Sequence, residues 1–264
     1  MKTLKTLSAA LILSTHGFMA APTFADDMKL VWSDDFDGTA LNTNAWHIVK
    51  GDGCPKNCYF GNNEKQTYTA DEKNLRLEDG KLVIEARGGD KFTSAKITSK
   101  GIPGWTYGKI AMRAKLPSGV GTWPAFWMMP DEAKYGPWPK SGEIDIMEHV
   151  GFDQGHVHGT VHTEAYNHRI NTQKGKDITV DTASSAFHTY TIEWDAGEIR
   201  WFIDSDQFFA FTRQDNDGHA EWPFDHPFHV ILNLAVGGDW GGKEGIDEAA
   251  FPARYEIDWV KVWQ

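Results

Sequence analysis

Three carboxylates fall within the segment Ser141-Gly142-Glu143-Ile144-Asp145-Ile146-Met147-Glu148-His149. In an extended strand alternate side chains share a face, so Glu143 and Asp145 point one way and Ile144 and Ile146 the other. Strict alternation then puts Met147 with the acids and Glu148 among the apolar side chains, where a carboxylate is costly. A β-bulge near Met147 removes the conflict by turning Glu148 back to the acidic face. Carboxylates gathered so closely cannot all ionise cheaply, so at least one should keep its proton to unusually high pH. An ionised carboxylate beside a protonated one, about 5–5.5 Å apart, is what retaining glycoside hydrolysis requires. The competing readings are a solvated acidic strand and a calcium loop. Calcium loops carry their oxygen ligands on a flexible turn, and the alternation with Ile argues against one here.

The elements that must position these acids read as strands. Leu82–Ala86, Lys109–Leu116, Thr189–Trp194, Ile199–Asp204, Phe228–Leu234 and Tyr255–Val262 are short and rich in Val, Ile, Tyr, Phe and Trp. Gly, Pro, Asn and Asp punctuate them, the pattern of a β-sandwich or barrel. No long stretch keeps the spacing of an amphipathic helix. The fold class expected is all-β, two packed antiparallel sheets in jelly-roll topology, although periodicity alone does not separate this from a barrel. A further strand over Gln154–His162 puts His156, His158 and His162 on one face. That spacing could ligate zinc or copper, but a metal site is the less favoured reading of three histidines on a strand.

Composition narrows the partners. The 264 residues carry a formal net charge of −11, 12 Trp and only 2 Cys, with 41% hydrophobic and 24% charged residues. Acidity argues against DNA, RNA or sulfated glycans, which call for clustered Lys and Arg. Many tryptophans suit flat, partly apolar ligands such as sugar rings. Lys2, Lys5, the apolar run Leu7–Leu13 and the small-residue site Thr23-Phe24-Ala25 read as a signal peptide over 1–25. Its removal takes two lysines and deepens the charge from −11 to −13. Residues 26–264 then form one catalytic domain, secreted or periplasmic, with no membrane span and a monomer as the default. Export permits a disulfide between Cys54 and Cys58, a local brace.

The segment Glu143-Ile144-Asp145-Ile146-Met147-Glu148 resembles the signature of glycoside hydrolase family 16, in the form with the extra Met typical of laminarinase-type endo-β-1,3-glucanases. The resemblance extends through Asn62-Asn63-Glu64 with Gln66 and Tyr68, Gly119 through Met128, and Gly159-Thr160-Val161-His162. Asn233-Leu234-Ala235-Val236-Gly237-Gly238 and Ile257-Asp258-Trp259-Val260-Lys261-Val262 continue it to the C-terminus. It implies a concanavalin-like jelly roll with a concave cleft, Glu143 as nucleophile, Glu148 as general acid/base and Asp145 as the assisting carboxylate. It further implies Trp123 and Trp127 as cleft walls, His162 as a cleft hydrogen-bonding group, and Asn63 and Arg87 as holders of sugar hydroxyls, with Glu64 orienting Arg87. Trp105 and Trp240, in Gly-rich loops, would extend the aromatic platform or, equally, pack into the core at the cleft rim. Many members carry a structural calcium far from the cleft, for which Asp35, Gly80 and Asp258 are the candidates. No cofactor for catalysis is implied.

The expected activity is endo-hydrolysis of internal β-1,3 bonds in laminarin-like glucan, with mixed-linkage β-1,3-1,4-glucan as a second candidate substrate. The alternatives are the same mechanism on agar, carrageenan or porphyran, a transglycosylase, or a non-catalytic lectin. The segment from Asp131 through Lys140, with Pro137-Trp138-Pro139, leads into the acidic strand and could shape one end of the cleft, with Trp138 a candidate for its rim.

Overall fold

The computed structural model describes residues 28–264 apart from Pro103. The expected leader over 1–25, together with residues 26 and 27, lies outside the described residues. The expected strands form as Lys81–Ala86, Gly108–Lys115, Glu143–His149, His156–His162, His188–Trp194, Glu198–Ile203, Phe228–Val236 and Ala253–Trp263. They enter two open antiparallel sheets, which settles the choice for the sandwich over the barrel. One sheet has eight strands, with Gly108–Lys115 and Ala253–Trp263 near its middle. The other runs Lys174–Thr179, His156–His162, Glu143–His149, Thr122–Pro130, Phe228–Val236, Lys96–Thr98 and His47–Val49 in spatial order. This seven-stranded sheet holds the acids and is called the cleft sheet below.

Period-two patterning decides which side chains meet between the sheets. In Glu198–Ile203 the positions alternate half-buried and buried, placing Ile199, Trp201 and Ile203 inside. Phe126, Met128, Ile144, Val157 and Val161 of the cleft sheet enter the same core as Ile84, Met112, Tyr190 and Trp194 of the other. Each such side chain, fully buried, contributes about 1.5–3 kcal/mol. The opposite face of Thr122–Pro130 is left to carry Trp123 and Trp127, both half-buried, away from the core.

One close approach under the cleft sheet requires glycine. A Cβ on Gly159 would stand 2.6 Å from the Trp201 ring. Without it the indole lies flush beneath Glu143–His149, and its Nε1 donates to the Asp145 carbonyl at 2.8 Å.

Trp105 takes the core alternative and not the place on the sugar platform. It is 6% exposed and packs in the core, 5.3 Å from the Trp32 ring. Its N–H donates to the Phe228 carbonyl and its carbonyl accepts from the Phe228 N–H, so the loop is pinned to the sheet and the indole turns inward rather than to the cleft rim. The disulfide forms between Cys54 and Cys58 as expected.

Candidate active site

The bulge falls where the acid spacing demands it. Against His156–His162, Glu143 pairs with His162 and Asp145 with Thr160, the register then shifts, and Glu148 pairs with His158. Against Thr122–Pro130, Asp145 faces Trp127 and Glu148 faces Ala125, with a shift between Asp145 and Met147. Ile144, Ile146 and Met147 are all buried in the core, while Glu143, Asp145 and Glu148 line one cleft together. The carbonyl of Asp145, at the edge of the irregularity, is the one that Trp201 satisfies.

Each outer carboxylate is met by an indole. Trp123 Nε1 donates to Glu148 Oε1 at 2.9 Å, and Trp138 Nε1 donates to Glu143 Oε2 at 2.6 Å. Trp127 Nε1 donates to Asn233 Oδ1 at 2.7 Å, which fixes that ring as a wall. His162 Nε2 stands 3.3 Å from Asp145 Oδ2. Burial foremost, with the charge of Asp145 adding, pushes the Glu143 carboxyl up to about 8, against the opposing pull of His162 and the Trp138 N–H. Burial pushes Glu148 up to about 7, the Trp123 N–H opposing it. Asp145 is raised well above the usual carboxylate range by burial and by the charge of Glu148. The three therefore share protons near neutral pH as a set, one able to donate while another carries charge.

A second layer lies along the same cleft. Lys96 reaches in between aromatic faces, its Nζ 4.7 Å from the Trp127 ring centroid and 5.1 Å from that of Phe60. Its burial lowers the ammonium pKa, and the charges of Glu64 and Glu143 oppose that shift. Glu64 is itself buried, accepting from Gln66 Nε2 at 2.6 Å. A buried acid pair, apolar walls and a cation at one end suit a neutral, ring-shaped polymer threaded along the sheet.

Comparison with known proteins identifies the constellation. The model of "Glycosyl hydrolases family 16" matches residues 57–261. The chain belongs to this family. A β-glucanase from Rhodothermus marinus is 49% identical over 253 residues, spanning 91% of this chain and 86% of that protein. The solved laminarinase from the same organism superposes with a TM-score of 0.85 at 47% identity, covering 90% of this chain and 97% of its own. The laminarinase from Flavobacterium sp. UMI-01 gives 0.84 at 43% identity, covering 89% and 100%. As a family 16 member the protein is a glycoside hydrolase with the jelly-roll fold, and no helix among its described residues is long and apolar enough to cross a membrane.

The remaining candidate residues divide. Trp240 stacks edge-on against Trp123 at 5.5 Å and so backs the platform. Asn63 is exposed beside the cleft, donating to Asp239 Oδ1 at 2.8 Å, while its neighbour Asn62 lines the cleft itself. Arg87 does not meet Glu64. It pairs with Glu85, two residues back on the same strand face, because Glu64 is turned into the buried group with Gln66 and Tyr68. The three histidines do not converge: His156 pairs with Asp177, His158 packs on Trp240, and His162 alone joins the acids. Asp258 is paired with Arg113 and Asp35 with Lys261, both on the eight-stranded sheet away from the cleft, and Gly80 occupies the turn between Leu75–Glu78 and Lys81–Ala86. Lys96 went unassigned from sequence, and Trp138 was expected only at the cleft rim, not on Glu143. Trp138 sits in a proline-flanked loop, where its distance from Glu143 in space cannot be read. Lys96 occupies the solvent side of a strand, which here is the cleft.

Proposed function

We propose that the chain is an endo-acting β-1,3-glucanase of laminarin-like glucans, accepting β-1,3-1,4-glucan as a second substrate and working with retention of configuration. One observation carries this reading: the bulge at Met147 sets Glu148 on the face of Glu143, and each of these carboxylates receives an indole N–H. Glu148 donates its proton to the glycosidic oxygen while Glu143 attacks the anomeric carbon, breaking the C–O bond and forming a glycosyl-enzyme. Glu148, now a base, takes a proton from water, whose oxygen displaces Glu143 and restores the original configuration. Asp145 holds the two outer carboxyls in opposite protonation states through its own shared proton. The laminarinase and β-glucanase names of close relatives support the glucan assignment.

The polysaccharide is the partner in this reading. The sequence features of residues 1–25 support export, and residues 26–264 act as one catalytic domain. Asp258, Asp35 and the Gly80 carbonyl would offer a structural calcium an all-oxygen donor set, chemistry that suits this ion. Its binding would have to displace Arg113 and Lys261 from the two carboxylates.

The test is reducing-sugar release from laminarin, lichenan, agarose and carrageenan side by side, with the anomer of the first product followed by NMR. Release of β-configured oligosaccharides from laminarin is expected. Preference for a galactan, or an α-configured first product, would sink the assignment.

A further inference from the structure

We propose that Glu143, Asp145 and His162 form a binding site for a divalent transition cation of the zinc class, and that its occupation blocks the cleft. One ligand atom from each of the three residues lies within 4.8 Å of the others. The strands impose this arrangement. Glu143 and His162 are direct cross-strand partners, and Asp145 lies two residues further along the same face. Asp145 is 2% exposed and His162 7%, yet Asp145 Oδ2 is buried without a hydrogen-bond partner. That oxygen faces His162 Nε2 at 3.3 Å, a contact that becomes an ion pair only when the imidazole is protonated and that makes no hydrogen bond. An unsatisfied buried oxygen in a native site calls for an explanation, and a bound ion is one.

The donor set selects the ion. One imidazole and two carboxylates, with further positions open to water from the cleft, form the pattern of three protein ligands seen in open zinc sites. Hard cations such as Ca²⁺ and Mg²⁺ prefer all-oxygen shells, whereas imidazole shifts preference to Zn²⁺, Cu²⁺ and Ni²⁺. The Trp138 N–H on Glu143 Oε2 would remain as an outer partner, orienting the carboxylate toward the ion. The cation and the sugar then compete for the Glu143 carboxylate, so binding is exclusive of turnover. That last consequence rests on the proposed glucanase reading; the site itself does not.

The experiment is calorimetric titration of ZnCl₂ into the whole chain, free of any histidine tag, with CaCl₂ and MgCl₂ in parallel. One zinc per chain is expected, weakened roughly 10-fold or more in D145N and in H162Q, and unchanged in H156A, which removes the exposed His156–Asp177 pair. Circular dichroism of each metal-free variant shows that it is folded. In wild type, zinc should raise the apparent KM for laminarin with kcat unchanged, and excess EDTA should reverse it. No stoichiometric zinc binding, or zinc lost in H156A but retained in folded D145N and H162Q, overturns the site. Zinc binding that follows the expected variant pattern in a protein inactive on laminarin would uphold the site and overturn the glucanase reading instead.

Discussion

The indole N–H of Trp138 donates to Oε2 of Glu143 at 2.6 Å, from a loop that precedes the acidic strand rather than from the sheet beneath it. The ring is held in turn by Arg169, whose guanidinium lies 4.6 Å from its centroid, and by His168 at 5.0 Å. A donor fixed on one oxygen favours the charged form of Glu143 and leaves its other oxygen to react. Trp138→Phe keeps the packing and removes the donor. A hydrogen bond to a charged group is worth about 1.5–3 kcal/mol, so kcat on laminarin should fall roughly 10- to 100-fold with little change in melting temperature. Unchanged kcat would show that the contact does not act on the reaction.

Glu143→Gln should lower kcat by about 10⁴-fold or more while glucan binding persists. It should also change how stability depends on pH. With its carboxyl raised from 4.5 to about 8 in the folded state, Glu143 binds its proton more tightly folded than unfolded. Between those values the folded state holds more protons, so stability falls as pH rises through the window. The Gln variant lacks this contribution, so its melting temperature should fall less steeply from pH 5 to 8 than that of the wild type. Parallel melting curves would refute the raised carboxyl.

Trp127 acts on binding more than on chemistry, since its N–H is committed to Asn233 and its face to the cleft. Trp127→Ala should raise KM for laminarin about 10-fold, the loss of one aromatic contact of roughly 1.5 kcal/mol, and leave kcat within a few-fold. The split is read from initial rates over a range of laminarin concentrations; a fall confined to kcat would contradict it.

Much of this was legible because strand geometry is periodic. The pairing of Glu143 with Asp145 and the bulge at Met147 follow from which positions can be apolar on one face; spacing puts Trp123 and Trp127 on a common face, but that this face is the cleft was implied by the family resemblance. What was not legible depends on loops and on which polar face is concave. Trp105, flanked by glycines, stood open between rim and core, and a backbone pairing with Phe228 draws it into the core. Glu64 was expected to orient Arg87, yet each found a different partner: Arg87 pairs with Glu85 and Glu64 accepts from Gln66. Lys96 looks like an ordinary surface lysine unless one knows that its side of the sheet is the binding face.

The calcium proposal is tested by melting rather than by rates. With Asp258 and Asp35 already held by Arg113 and Lys261, binding must outcompete two ion pairs. Calcium at about 100 times its Kd should add about 2.7 kcal/mol, which for a domain of this size raises Tm by roughly 5–10 °C, with kcat unchanged. An unaltered melt in excess calcium and in chelator would rule the site out.

The register break at Met147 also makes the acid spacing a question of parity. On a regular strand only even separations return a side chain to the same face, and Glu148 follows Glu143 by an odd one, so the break supplies the missing half-step. Removing Met147 would therefore leave the two glutamates on the same side of an unbroken strand. Removing Met147 together with one isoleucine would send Glu148 into the core. Insertions and deletions in this stretch should survive only in combinations of length and bulge that return Glu148 to the face of Glu143.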